Sequence, residues 1–493
     1  MNRPIRQLTA FMCVMFLVLA GASTYIQFFS SRSLNANPWN VRTLYHQQGT
    51  ERGPIIVGGE AIAKSVPTDD KFAFGRTYAD SMVYSNITGY FSVAHNSSTG
   101  IERSMDTVLS GLDSSLAWQR IADMFTGSQP RGGGVELTID PVIQKAAYNA
   151  LGDQRGAVVV LKSSTGEIAA QVSTPGFDAN AIATHDTPAA RGNYTLLSKN
   201  PNKPLVDRAT GGDQYAPGST FKLLTTAAMI EYSGMKPDTM VEAPLNYSPP
   251  GTTHQIWNPG RDKCGDGSGH VTLTKAFEES CNTPFAIAGV NIGADKMVAL
   301  AEKFGFNKPL STPLNVSASR FPKPQDKAAL AMDSIGQRDV RVTPLQMAMI
   351  GAAIYNDGIV MSPTIIKQIV NVDLEPIQTF SPQEIGRAIS SQTAQYMHQM
   401  MVDEVKAGTG TRAAVKELEV AGKTGTGEIN STTPPHAWFV GNTTIGGEKY
   451  TAVAIVENSG HAGWRGDGGS VAAPIVRKIF EAKLATMSNG RER

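Results

Sequence analysis

The chain has 493 residues, more than one ordinary hydrophobic core accommodates, so two or three domains are expected. Hydrophobic residues make up 41% and charged residues 18%, the balance of a globular protein, and a formal net charge of +1 argues against a chain dominated by nucleic-acid binding. The cysteines, Cys13, Cys264 and Cys281, include no CxxC pair, which rules out a disulfide-dense scaffold and argues against a cysteine-built zinc site.

Arg3 and Arg6 precede an apolar run from Leu8 to about Phe29 that holds no Asp, Glu, Lys or Arg. A run of that length can span a bilayer, and basic residues before it place the N-terminus in the cytoplasm. Ala20-Gly21-Ala22 resembles a signal-peptide cleavage site. The run continues through Tyr25, Ile26, Phe28 and Phe29, however, beyond the core of about 7–15 residues that a signal peptide carries, so a retained anchor is expected. Cys13 then lies in the membrane. Cys264 and Cys281 share an oxidising compartment, as either a disulfide or two free thiols.

After a polar segment, Ser30 to Trp39, short strand-like runs are punctuated by Arg52-Gly53-Pro54-Ile55 and Gly58-Gly59. Phe72, Phe74, Tyr78, Tyr84 and Tyr90 are candidate core aromatics, and Pro130-Arg131-Gly132-Gly133-Gly134 reads as a boundary. The expected organisation is a cytoplasmic tip and anchor over 1–30, a small exported domain over 31–134 without paired acids of its own, and a larger domain over 135–493.

In that larger domain, Val135–Ile139 alternates like a strand, and Asp140 is placed to cap a helix opening on Pro141. Gly156–Leu161 and Glu167–Val172 read as strands. Helical spacing predicts helices over Ser219–Tyr232, Leu273–Ile287, Lys296–Phe304 with Asp295 as its cap, and Pro344–Tyr355. Strands return at Ala437–Val440 and Tyr450–Val456, and a last helix runs from about Val471 to Ala485. Strands at both ends with helices between them predict an α+β domain whose sheet joins distant parts of the chain.

Three short motifs carry chemistry. In Pro217-Gly218-Ser219-Thr220-Phe221-Lys222 a turn leads into an apolar helix, and residues three apart share a helix face, so Lys222 neighbours Ser219. A serine hydroxyl is a poor nucleophile until a base takes its proton, and a lysine serves as that base when burial or a nearby cation lowers its pKa. Ser280-Cys281-Asn282 is an SxN triplet suited to proton relay and to hydrogen bonding a peptide amide. In Lys423-Thr424-Gly425-Thr426, Lys423 and Thr424 suit a carboxylate, and Gly425 admits a ligand backbone to an edge strand. Each motif alone has an ordinary structural explanation as a cap, a turn or a surface strand. SxxK recurs at Ser233–Lys236, and SxN at Ser33–Asn35 and Ser198–Asn200.

Together, in this order and roughly 60 and 140 residues apart, the three motifs make the signature of penicillin-binding proteins and β-lactamases. The chain resembles a class B penicillin-binding protein over most of its length. Arg52-Gly53-Pro54-Ile55, Leu137-Thr138-Ile139-Asp140 with Gln144, Ser334-Ile335-Gly336-Gln337, Thr343–Ala348, Gly408-Thr409-Gly410 and His436-Ala437-Trp438-Phe439 match further elements of that family. The short N-terminal domain, the SCN triplet and the length are most similar to the actinobacterial penicillin-binding protein A group.

The resemblance implies the transpeptidase fold, an antiparallel sheet flanked by helices, with a small N-terminal domain and one transmembrane helix. Ser219 would attack D-Ala-D-Ala, Lys222 would accept its proton, and Ser280 would help protonate the leaving D-Ala. Backbone N–H groups of Ser219 and Thr426 would form the oxyanion hole, Lys423, Thr424, Gly425 and Thr426 would receive the terminal carboxylate, and Asn282 the peptide. Neither a metal nor a diffusible cofactor is implied. The implied partners are peptidoglycan stem peptides, β-lactams, the plasma membrane, a separate glycosyltransferase and division-complex proteins, with the catalytic domain on the extracytoplasmic side. Glu242–Asn246 spells the ExxLN of a β-lactamase but precedes Ser280, on the wrong side. A D,D-carboxypeptidase and a non-catalytic β-lactam sensor or division scaffold remain as alternative readings.

Overall fold

The computed structural model describes residues 2–26, 50–117, 125, 131–212, 214–310 and 312–491. Phe28, Phe29, the polar segment from Ser30 to Trp39 and Pro130 lie outside the described residues. The N-terminal run forms the helix Asn2–Thr24, and within Arg3–Thr24 an 18-residue window has a mean hydropathy of 1.8 with none of it buried against the described residues. A 22-residue, largely apolar stretch of helix with no partner among the described residues has the length and the surface of a membrane span.

A five-stranded antiparallel sheet runs in the order Ala421–Gly427, His436–Ile445, Glu448–Val456, Gly156–Lys162, Ile168–Thr174. It is covered on both faces. Val158, Val160, Phe439 and Ala454 point to the side packed by the helices Pro141–Leu151 and Ala473–Arg491, while Val159, Leu161, Val440 and Val453 point to the other. There the helix Pro344–Tyr355, buried along its whole length except for its last residue, lies against the sheet. Asp140 caps Pro141–Leu151, accepting from the N–H groups of Val142 at 2.9 Å and Ile143 at 3.2 Å.

A second sheet has six strands in the order Pro376–Thr379, Ile366–Val370, Gly134–Leu137, Ile55–Val57, Glu60–Pro67, Phe74–Tyr78. Its first two strands come from far along the chain, so one hairpin of the C-terminal part completes a sheet begun near the N-terminus. The same region explains Arg52-Gly53. The buried Arg52 guanidinium meets Glu102 at 3.0 Å and Asp106 at 2.7 Å, and Arg76 meets the other oxygen of Glu102 at 2.6 Å. A Cβ on Gly53 would sit 1.9 Å from the Gly133 carbonyl oxygen. Phe72, Tyr78, Tyr84 and Tyr90 are buried, whereas Phe74, on the outermost strand, is half-exposed.

Two sequence expectations are corrected. Leu273–Ile287 is not one helix: Leu273–Glu278 ends at the SxN triplet, and a second helix, Thr283–Ile292, starts after it with Pro284 in its first turn. The break is fixed by Ser280, whose φ of 55° no continuous helix permits. Asp295 is not the cap of Ala294–Lys303. Gly293 holds that position, and Asp295 in the first turn pairs with Lys323 at 2.7 Å.

Candidate active site

Ser219 sits in a one-turn 3-10 segment, Gly218–Phe221, that leads into the helix Lys222–Ser233. The tight turn requires Gly218, which has φ 53° and whose added Cβ would lie 2.1 Å from the Thr426 carbonyl oxygen. The approach to the turn is anchored from behind. Tyr215 hydroxyl donates to Glu457 at 2.8 Å, Arg208 Nε pairs with the same carboxylate at 2.8 Å, and Trp438 Nε1 donates to the Ala216 carbonyl at 3.1 Å. In the first turn of a helix the N–H of Ser219 has no intrahelical acceptor and is free to face a ligand.

Lys222 is fully buried, with Nζ 2.9 Å from Ser219 Oγ, 2.6 Å from the Ser280 carbonyl oxygen and 2.7 Å from Asn282 Oδ1. Carbonyl oxygens only accept, so these two consume two N–H bonds. A neutral amine has just two, and its lone pair then falls to the serine hydroxyl. Burial, and next the charge of Lys423, push Lys222 well below the usual lysine range, towards that neutral form.

The broken helix brings in the triplet. Ser280, in its left-handed conformation, turns its hydroxyl between two lysines, 3.4 Å from Lys222 Nζ and 3.0 Å from Lys423 Nζ. Cys281 is joined to Cys264 in a disulfide with Cα atoms 5.9 Å apart, which ties the loop around Cys264 to the triplet. Asn282 donates from Nδ2 to the Trp257 carbonyl at 2.7 Å and stays partly exposed.

The KTG run lies on Ala421–Gly427, the edge strand of the five-stranded sheet, against the nucleophile turn. A Cβ on Gly425 would come within 2.7 Å of Thr220 Cγ2 and 2.9 Å of the Pro217 carbonyl oxygen, so only glycine permits this approach. Thr424 N–H points off the free edge, and by the two-residue repeat of a strand so does that of Thr426, alongside the start of the Ser219 helix. Thr426 is partly exposed, whereas the Thr424 hydroxyl is engaged inside by Thr409 at 2.5 Å.

One residue that sequence reading passed over is central here. Glu404, on the helix Ser391–Ala407, is fully buried and accepts at one oxygen, Oε1, from Lys423 Nζ at 3.0 Å, Thr424 N–H at 2.9 Å and the Thr409 hydroxyl at 2.8 Å. Its signal was available: Met397, Met400, Met401 and Glu404 recur at helical spacing, so the acid falls on the apolar face.

The arrangement is thus a serine with a buried amine at its oxygen, a second buried amine beyond a relay hydroxyl, and an edge strand whose free N–H faces them. The model of the penicillin-binding protein transpeptidase domain matches residues 156–481, and that of the penicillin-binding protein A dimerisation domain matches residues 52–135. A peptidoglycan D,D-transpeptidase of Mycolicibacterium smegmatis, PbpA, is 40% identical over 98% of this chain and 99% of its own length. Its namesake in Mycobacterium tuberculosis is 39% identical with the same coverage. The solved structure of M. tuberculosis penicillin-binding protein A as a ceftriaxone acyl-enzyme superposes with a TM-score of 0.85 at 40% identity, over 89% of this chain and all of that one. Site geometry, matched domains and end-to-end similarity agree, and the chain belongs to the class B branch of the penicillin-binding protein transpeptidases.

Proposed function

We propose that the chain is a membrane-tethered peptidoglycan D,D-transpeptidase working through an acyl-enzyme on Ser219. The observation that carries this reading is the Lys222 amine, buried, with its N–H bonds directed at two carbonyl oxygens and its remaining valence 2.9 Å from Ser219 Oγ. In the proposed reaction Ser219 Oγ attacks the carbonyl between the two D-alanines of a stem peptide as its proton passes to Lys222 Nζ. The N–H groups of Ser219 and Thr426 stabilise the oxyanion. As the C–N bond breaks, Ser280 conducts the proton to the departing amine and D-Ala leaves. The amine of a second stem then attacks the ester, returns a proton along the same path, and frees Ser219 with the cross-link made.

Lys423 and Thr424 supply charge and polarity for the terminal carboxylate from the buried side, Thr426 meets it directly, Gly425 lets the backbone approach, and Asn282 orients the peptide. A β-lactam would follow the first half of this path and stay on the serine. The N-terminal apolar helix supports a single-pass plasma-membrane anchor with the site outside, and the family resemblance supports work at the division septum beside a glycan polymerase. We also propose a domain division near residue 134, for which the separate match to residues 52–135 is the support.

Fluorescent penicillin tests the site. The parent chain should be labelled at Ser219 and Ser219→Ala should not be labelled; persistent labelling at another serine would overturn the assignment. With a D-Ala-D-Ala donor and an acceptor amine, cross-linked product should exceed hydrolysed product. The reverse would make the enzyme a carboxypeptidase.

A further inference from the structure

We propose that Glu404 is the positioning residue that keeps Lys423 a cation and thereby leaves Lys222 free to act as the base. The proposal rests on the transpeptidase reading above and deepens it.

Two lysine amines converge on Ser280 from opposite sides, Lys222 at 2.6 Å from its carbonyl oxygen and Lys423 at 3.0 Å from its hydroxyl, and both side chains are fully buried. Two unpaired ammonium ions a few ångströms apart in a dry interior would be costly, so at most one proton beyond the neutral amines is comfortable there. Which lysine holds it is decided by the carboxylate. Glu404 touches Lys423 at 3.0 Å and makes no hydrogen bond to Lys222. The charged groups facing Lys423 are Glu404, from the helix Ser391–Ala407, and Lys222, from the nucleophile helix. From the helix before the triplet it meets the Phe277 ring at 5.2 Å, with the Ser280 hydroxyl beyond, while the Glu278 carboxylate is turned to Lys275 at 3.4 Å.

The hydrogen bonds around Glu404 also select its ionised form. Lys423 and Thr424 N–H donate to Oε1, and of the Thr409 and Thr424 hydroxyls, 2.8 and 3.0 Å from it and bonded to each other, one donates to Oε1 as well. Buried Oε2 has no partner among the described residues that would accept an acid proton. Burial is the largest influence on both and leaves the Glu404 carboxyl above and the Lys423 amine below their ordinary values, while Lys423 and these donors draw the first back down and Glu404 draws the second back up. Charge is therefore placed in sequence: carboxylate on Glu404, ammonium on Lys423, and the lone pair of Lys222 at Ser219, since after burial the charge of Lys423 lowers Lys222 more than the more distant Glu404 raises it. The same carboxylate holds Thr424 N–H at 2.9 Å and so sets the position of the edge strand, a role that glutamine's carbonyl oxygen can still fill.

The test is the pH profile of Ser219 acylation by fluorescent penicillin in the full chain, comparing the parent, Glu404→Gln and Glu404→Asp, with thermal melting as the control for folding. Acylation should fall at acid pH as Lys222 takes a proton and at alkaline pH as Lys423 loses its own. Glu404→Gln should move the alkaline limb down by about one pH unit or more, about a tenfold loss of rate at pH values above the limb. Glu404→Asp should move it less and in the same direction. A purely structural role would lower the rate equally at every pH. An unmoved alkaline limb in Glu404→Gln overturns the proposal and leaves the Ser219 assignment standing. If the glutamine variant fails to fold, an unmoved limb in Glu404→Asp does the same. Absence of Ser219 labelling in the parent would overturn both together.

Discussion

Breaking the Cys264–Cys281 disulfide should loosen both the fold and the chemistry. The bridge closes a loop of sequence separation 17, for which the chain-entropy relation gives about 3 kcal/mol of stabilisation at 25 °C. Both cysteines are buried and Cys281 stands between Ser280 and Asn282, so the bridge also restrains the left-handed turn that delivers the relay hydroxyl and the amide to Lys222. A misplacement of about 1 Å at such groups costs up to about a hundredfold in rate, and a loss of about tenfold is expected once the tether is cut. The perturbation is Cys264→Ala with Cys281→Ala, compared with the parent under oxidising and reducing conditions. Urea unfolding followed by circular dichroism reads the stability, and the rate of fluorescent-penicillin labelling reads the site. Intact mass should rise by about two hydrogens on reduction. A stability change below about 1 kcal/mol together with unaltered labelling, or a mass unchanged by reductant, would refute this reasoning.

Glu102→Gln should destabilise the N-terminal half by about 3–5 kcal/mol, because it leaves the buried guanidinium groups of Arg52 and Arg76 without their shared carboxylate. Burial raises the Glu102 carboxyl, but Arg76 and Arg52 outweigh it and hold it below its ordinary value of 4.5. Its contribution is therefore present above that value and lost as the pH falls through the lower, folded one; a variant with an unchanged acid-unfolding midpoint would contradict this. Asp333 is the opposite case. Burial pushes it up to about 7 from an ordinary 3.8, so the folded state holds a proton that the unfolded chain sheds. Its contribution is greatest below 3.8 and is lost as pH rises to about 7, so Asp333→Asn should gain stability with pH towards a ceiling of about 4 kcal/mol, against a prediction of no pH dependence if the carboxyl were ordinary. Gly425→Ala should lower acylation by about a hundredfold or more, since its Cβ would be forced to within 2.7 Å of Thr220; retained labelling would show that the strand and the nucleophile turn are not in close register.

What the sequence disclosed depended on range. The SxxK turn was readable because its logic is local: Gly218 turns the chain and three residues of helix bring Lys222 to Ser219. Pro344–Tyr355 was readable to the residue, because Thr343 caps it, Pro344 opens it and apolar residues fill it. The break at Ser280 was not, since apolar spacing carries on from Phe277 into Phe285 and Ile287, and the φ of 55° is imposed by the tertiary setting. Asp295 misled because an acid ahead of an apolar run reads as a cap, whereas Gly293 takes that place and Asp295 meets Lys323 across a loop. Glu404 was half legible: its place on the apolar face beside Met397, Met400 and Met401 could be read, but only the fold sets Lys423 beneath it. The second sheet was beyond reach from periodicity alone: Gly134–Leu137 lies between Ile55–Val57, about 80 residues before it, and Ile366–Val370, more than 200 residues after it.

That shared sheet governs where the molecule can be cut. Lys367 and Gln368 hold Glu136 across 231 and 232 residues of sequence, and Ile366–Val370 is sewn by backbone bonds to Gly134–Leu137. A truncated chain starting beyond Leu137 would strip one margin of that hairpin, baring unpaired N–H and C=O groups that invite sticking between molecules. Traction on Ile55–Val57 would for the same reason be passed to the larger domain through a continuous ladder of backbone bonds, by way of Gly134–Leu137 to Ile366–Val370.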